Sequence, residues 1–147
     1  MHKLAYIRTI SSISAIPNAD AIECATVDGW TVVVKKGEFV PGDLAVYFEI
    51  DSWIPTEIAP FLTKPNKEPS EFEGIKGERL RSIRLRKQLS QGLLLPLHSL
   101  SEEVAEYCQG INFNDPTGID LTEQLGIRKW ERPPASNAAW DGKGQLP

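Results

Sequence analysis

The chain has 147 residues, enough for one domain with its own core, and its 41% apolar and 24% charged residues exclude wholesale disorder. Its net charge of −4 would by itself argue against a polyanionic partner, but the charge is unevenly placed. Lys76 to Lys87 holds six basic residues against Glu78 alone, a local +5 that leaves −9 on the rest.

In chain order, Leu4 to Ile16 is rich in Ile, Ser and Thr and is stopped by Pro17-Asn18. Its β-branched content predicts a long, bent strand. Glu23 to Val27 and Trp30 to Lys36 flank Asp28-Gly29. An Asp-Gly pair between two apolar runs predicts a tight hairpin, because both turn positions need positive φ. Leu44 to Asp51 alternates, with Leu44, Val46, Phe48 and Ile50 facing one way and Ala45, Tyr47, Glu49 and Asp51 the other, as in a half-buried antiparallel strand. Pro55 to Phe72 carries four prolines and reads as a long irregular surface loop.

Gly77 to Pro96 is the most informative stretch. Arg79, Arg81, Arg84, Arg86 and Lys87 alternate with Leu80, Ile83, Leu85 and Leu89, which predicts a ribbon that buries aliphatics and displays cations. Gly92 to Pro96 follows as a buried strand. These elements fit a mainly β fold, a five-stranded OB-type Greek-key barrel over residues 1–98. Ser99 to Glu102 matches a capping box and opens a short helix to about Cys108. Asp120 is expected to cap a second short helix, Leu121 to Leu125, with Glu123 at the reciprocal position and Gly126 as its stop. These short C-terminal helices make 99–130 a helical extension packed on the barrel. Residues 131–147, with Pro133-Pro134 and a small polar tail, read as a linker.

The cationic ribbon is a device for holding phosphates. Arg79, Arg81, Arg84, Arg86 and Lys87 would make the contacts, with Gln88, Ser90 and Gln91 adding neutral hydrogen bonds. Lys35 and Lys36, at the end of an apolar strand, offer two more. Strict alternation would send Arg79 and Arg81 one way and Arg84 and Arg86 the other unless a bulge intervenes. Trp30, Phe39, Tyr47, Trp53 and Phe61 are the aromatics available for base stacking. Catalytic constellations are poor. His98 has no local nucleophile, and Glu102, Glu103, Asp115 and Asp120 suit dipole, turn and cap positions. Glu49 and Asp51 lack further partners for a metal. Cys24 and Cys108 have neither C-x-x-C spacing nor a neighbouring histidine, so no zinc site is expected and idle thiols in a reducing compartment are. No signal peptide or spanning segment is visible, so the chain is expected to be soluble and intracellular, with no membrane partner.

Two blocks carry a family resemblance. Asp28-Gly29-Trp30 with Val32 to Ser52, then Arg79 to Pro96, together with the lead-out Leu125 to Glu131, resemble the N-terminal module of the Deinococcus-type nick-sealing RNA ligases. The resemblance implies an OB-type module placed before a nucleotidyltransferase domain. That domain's Lys-x-Asp-Gly lysine takes AMP from ATP with Mg or Mn, passes it to a 5′-phosphate, and lets a 3′-OH displace it. The implied substrates are nicks in duplex RNA or RNA/DNA whose 3′-OH strand is RNA. Asp28-Gly29 has Thr26 and Asp141-Gly142 has Ala139 where that lysine should stand. The chain is therefore expected to be a module without its own cofactor or catalytic residues, whose partners are the nicked duplex and its own C-terminal nucleotidyltransferase domain, toward which 131–147 would lead. Two alternatives stay open: a module that docks onto the catalytic domain or a repair partner, and a stand-alone tRNA-binding OB protein.

Overall fold

A computed structural model describes residues 3–97, 104, 106–108 and 117–131. The strands among the described residues are β1 (Ala5–Thr9), β2 (Ser12–Ala15), β3 (Ile22–Val27), β4 (Trp30–Lys35), β5 (Leu44–Phe48), β6 (Ser52–Pro55), β7 (Ser70–Phe72), β8 (Ile75–Arg79), β9 (Ile83–Leu85), β10 (Gln88–Ser90), β11 (Leu93–Pro96) and β12 (Arg128–Lys129), with a 3-10 turn at Pro60–Leu62.

The long bent strand is β1 plus β2. The bend lies at Ile10-Ser11, where the chain changes partners. Ile10 exchanges backbone hydrogen bonds with the 42–43 turn, and the Ser11 N–H donates to the Thr26 carbonyl. β1 accordingly pairs with β5, and β2 with β3. The β3–β4 hairpin turns at Asp28 (φ 53) and Gly29 (φ 95), the left-handed pair that the sequence calls for.

Three hydrogen bonds join β4 to the last barrel strand. The Gln91 N–H donates to the Thr31 carbonyl at 2.7 Å, the Val33 N–H to Ser90 Oγ at 2.9 Å, and Thr31 Oγ1 to the Leu89 carbonyl at 2.9 Å. β11 then pairs with β5, and β5 with β1. The circuit β1/β2, β3, β4, β10/β11, β5 and back to β1 is a five-position Greek-key barrel of the OB type.

Two cores result. Ile10, Ala25, Val27, Val32, Val34, Phe39, Ala45, Tyr47 and Leu94 fill the barrel. Leu4, Ile7, Val46, Phe48, Ile54, Leu80, Val104, Leu121 and Ile127 pack against its outer wall. This corrects the half-buried reading of Leu44 to Asp51. Ala45 to Phe48 are all buried, because the face expected to meet solvent, Ala45 and Tyr47, turns into the barrel, while a second layer covers Val46 and Phe48.

That second layer is built from the segment between β5 and β9 and from the C-terminal segment. Pro55 to Phe72 is not irregular throughout. β6, β7, β8 and β12 form a four-stranded sheet in the order β12-β6-β8-β7. β8 lies so close to β6 that a Cβ on Gly77 would sit 2.1 Å from the Ile54 carbonyl oxygen. Residues 118–121 run along the free edge of β1, with the Ile7 N–H donating to the Ile119 carbonyl and the Leu121 N–H to the Ala5 carbonyl.

Val104 and Glu106 to Cys108 are helical. The expected second helix is instead a turn over 122–126, closed by bonds from Leu125 to Leu121 and from Ile127 to Thr122. Asp120 does cap it, accepting the Thr122 N–H at 3.0 Å. Gly126 (φ 69) and the return into β12 stop the turn before a helix can propagate. The capping box at Ser99, residues 110–116 and the 132–147 tail lie outside the described residues.

Tyr47 and Tyr6 stand edge to face, with centroids 5.7 Å apart. The Tyr47 hydroxyl donates to the Gln91 carbonyl at 2.6 Å, and that of Tyr6 to Glu49 Oε2 at 2.6 Å. Burial first, then the Glu49 carboxylate, push both phenols well above the usual tyrosine value. The folded state thus holds these protons more tightly than the unfolded chain. Their contribution is complete below the unfolded tyrosine pKa of roughly 10 and is lost as pH rises beyond it. Urea midpoints should therefore fall in the alkaline range above that value, and Tyr47→Phe should flatten the fall.

Candidate nucleic-acid interface

The cationic ribbon is not one strand. It breaks after β8 and re-forms as the β9–β10 hairpin, with Leu85 opposite Gln88 and Ile83 opposite Ser90. Its two-residue turn is Arg86 (φ 51) and Lys87 (φ 70). Both are left-handed, a conformation that costs a residue with a Cβ about 1–2 kcal/mol. The hairpin thus holds two long cations at its tip in a strained backbone, an arrangement that concentrates at working surfaces.

Arg81, Arg84, Arg86 and Lys87 are all exposed, and no described carboxylate forms an ion pair with them. Arg84 Nη1 donates to the Lys87 carbonyl at 3.3 Å, across the turn. Lys35 and Lys36 are exposed at the end of β4. Lys35 lines the same groove as Leu85, so the β4 end and the hairpin bound one surface.

The remaining candidates are placed differently. Arg79 is not on this surface. Its Nε and Nη2 bind Asp51 Oδ1 at 2.9 and 2.7 Å, and its guanidinium lies 3.9 Å from the centre of the Trp130 ring. The Trp130 N–H in turn donates to the Asp51 carbonyl at 2.8 Å. Arg79 therefore ties β8 to β12 rather than facing solvent. Gln88 and Gln91 are half-buried. Gln88 Nε2 donates to the Leu89 carbonyl at 3.0 Å, and the Gln91 backbone serves barrel closure. Ser90 is buried, its hydroxyl accepting from Val33.

Of the aromatics, Phe39, Tyr47 and Trp53 are core, while Trp30 and Phe61 are exposed. Ile83 (50% exposed) and Leu85 (40%) are not buried as alternation predicts, because β9 pairs only with β10 and lies outside the barrel circuit. Leu85, together with Phe61, borders an apolar groove of about 370 Å³ floored by Val33, Leu93 and Leu95. Neither Leu85 nor this groove is marked by any local motif. Arg-Lys is an uncommon turn pair, and the groove joins segments far apart in sequence.

Glu49 and Asp51 are occupied by Tyr6 and Arg79. Among the described residues no three His, Cys, Asp or Glu gather to hold a metal. Cys24 and Cys108 are free and buried, and burial pushes both thiols up. His98, Glu102, Glu103, Asp115 and Asp141 lie outside the described residues. Among the described residues no helix is long and apolar enough to cross a membrane.

The chain is similar to solved structures of Naegleria gruberi RNA ligase. A variant of that enzyme with AMP and Mn matches at 51% identity and a TM-score of 0.75, covering 90% of this chain and 36% of that one. Another variant, with ATP and Mn, matches at 50% and 0.73, covering 89% and 36%. The enzyme with PPi matches at 47% and 0.77, covering 100% and 41%. This chain thus spans about two fifths of the solved chains it matches. No curated protein sequence matches it. A family model for an OB-fold domain matches residues 4–97. With the barrel circuit traced above, the chain belongs to the OB-fold domain family.

Proposed function

We propose that this chain is the N-terminal nucleic-acid-binding module of an ATP-dependent RNA ligase of the Deinococcus-type nick-sealing class. The observation that carries this reading is the exposed cationic hairpin on a barrel that shares about half its residues with an RNA ligase. The module's work is positional. Arg81, Arg84, Arg86 and Lys87, with Lys35 and Lys36 beside them, hold backbone phosphates of a nicked duplex RNA or RNA/DNA. Holding two strand ends in register removes part of the entropic barrier to joining them, with no chemical group supplied.

ATP and its divalent metal, Mn or Mg, would act in the nucleotidyltransferase portion of the parent enzyme. The described residues offer neither a carboxylate cluster nor a free carboxylate pair for the metal. Sealing through lysine-adenylate and RNA-adenylate belongs to that other portion, and this module is its substrate-holding partner, working in the cell interior as a soluble domain.

A salt titration of binding to nicked duplex tests the reading. Log affinity against log salt should slope downward, and each of Arg84→Ala, Arg86→Ala and Lys87→Ala should reduce that slope by about one. Arg79→Ala should leave the slope unchanged. It should instead lower unfolding free energy by about 1–2 kcal/mol, because it breaks a charge-assisted hydrogen bond and the stack on Trp130. A flat dependence for the unsubstituted chain would falsify phosphate contact.

A further inference from the structure

We propose that the groove beside the hairpin receives one unstacked nucleobase, so that the module prefers a duplex interrupted by an unpaired nucleotide over a continuous one. This rests on the phosphate-holding reading above and adds a base site to it.

The groove's floor is the outer face of β4 and β11, at Val33, Leu93 and Leu95. Its walls come from two segments between β6 and β10. Phe61, in the 3-10 turn, is 62% exposed, and Leu85, on β9, is 40% exposed. Its volume of about 370 Å³ falls in the range of sites for small ligands.

Charge identifies the occupant. Lys35 lines the groove, Lys36 follows it, and the hairpin whose Leu85 forms the wall carries Arg84, Arg86 and Lys87 at and beside its tip. Among the described residues of the lining, Glu38 is the single carboxylate. An apolar slot with a cationic border on an acidic body fits a ligand with a flat apolar part and an anionic backbone, and a nucleotide has both. A base inserted between Phe61 and Leu85 gains stacking that is indifferent to base identity. A base paired within a continuous helix is not available to enter.

The test compares two ligands for the full 147-residue chain: continuous duplex RNA, and the same duplex with one unpaired fluorescent adenine analogue at a nick. Phe61→Ala and Leu85→Ser alter exposed side chains, and their thermal unfolding should match that of the parent. The unpaired ligand should bind about tenfold more tightly than the continuous duplex, and its fluorescence should change on binding. Phe61→Ala and Leu85→Ser should each abolish that preference while leaving affinity for continuous duplex unchanged. Arg84→Ala with Arg86→Ala should weaken both ligands alike.

Equal binding of the two ligands, with the arginine effect intact, overturns the base site and leaves the phosphate reading standing. Loss of the arginine effect overturns both. If Phe61→Ala lowers nick sealing by the parent ligase with no change in RNA binding, the groove is a protein-docking surface and the base site is wrong.

Discussion

Gly92→Ala is expected to lower the unfolding free energy by about 4 kcal/mol, summing left-handed strain and overpacking. Gly92 sits at φ 129, which L side chains rarely adopt. A Cβ there would stand 2.6 Å from Tyr47 Cε1, 2.7 Å from the Phe48 carbonyl oxygen and 2.8 Å from Tyr47 Oη. None of these can move cheaply. The Tyr47 ring is in the barrel core with its hydroxyl bound to the Gln91 carbonyl, and Phe48 lies in the strand that pairs on both sides. Gly74→Ala provides the comparison. It also has a positive φ, of 80, with nothing within 4 Å of the added carbon, so only the backbone penalty of about 1–2 kcal/mol applies. Urea denaturation of both variants decides the matter. Equal losses would mean that the close approach of Gly92 to β5 contributes nothing.

Thr122→Val should cost about 3 kcal/mol, although the two side chains are nearly the same size. Thr122 is 4% exposed. Its Oγ1 accepts the Leu4 N–H at 2.9 Å and the Ala5 N–H at 3.2 Å, and donates to Asp120 Oδ1 at 2.6 Å. Valine fills the space and satisfies none of the three groups. Two buried N–H donors and one carboxylate oxygen lose a partner where water does not reach. Thr122→Ser keeps the hydroxyl and loses only a methyl group, so it should retain most of the stability. If urea midpoints for the valine and serine variants coincide, the hydroxyl is not what fastens this segment to β1.

The features legible in the sequence were those set by local chemistry. Asp28-Gly29 marks its hairpin because few residue pairs accept that turn, and Leu4 to Ile16 marks a long bent strand because β-branched residues fill it. The barrel circuit followed from strand number and loop length. The rest depended on contacts between distant segments. Alternation in Leu44 to Asp51 told correctly which residues share a face, but not that Ala45 and Tyr47 would turn into a barrel while Val104, Leu121 and Ile127 cover Val46 and Phe48. The cationic run was legible as charge and illegible as shape. Arg86-Lys87 carries no turn signal, and that turn, rather than strand alternation, brings Arg84, Arg86 and Lys87 together. Arg79 read the same as its neighbours, since only the fold places Asp51 and Trp130 beside it.

β5 separates the two cores, with Ala45 and Tyr47 in one and Val46 and Phe48 in the other. A fragment trimmed to residues 4–97, the region that the family model spans, would keep every barrel strand. It would also leave Ile7, Val46 and Phe48 wet on one side and the edge of β1 bare. The smallest piece worth expressing therefore has to run past Ile127, and shorter fragments should be sticky rather than merely weak.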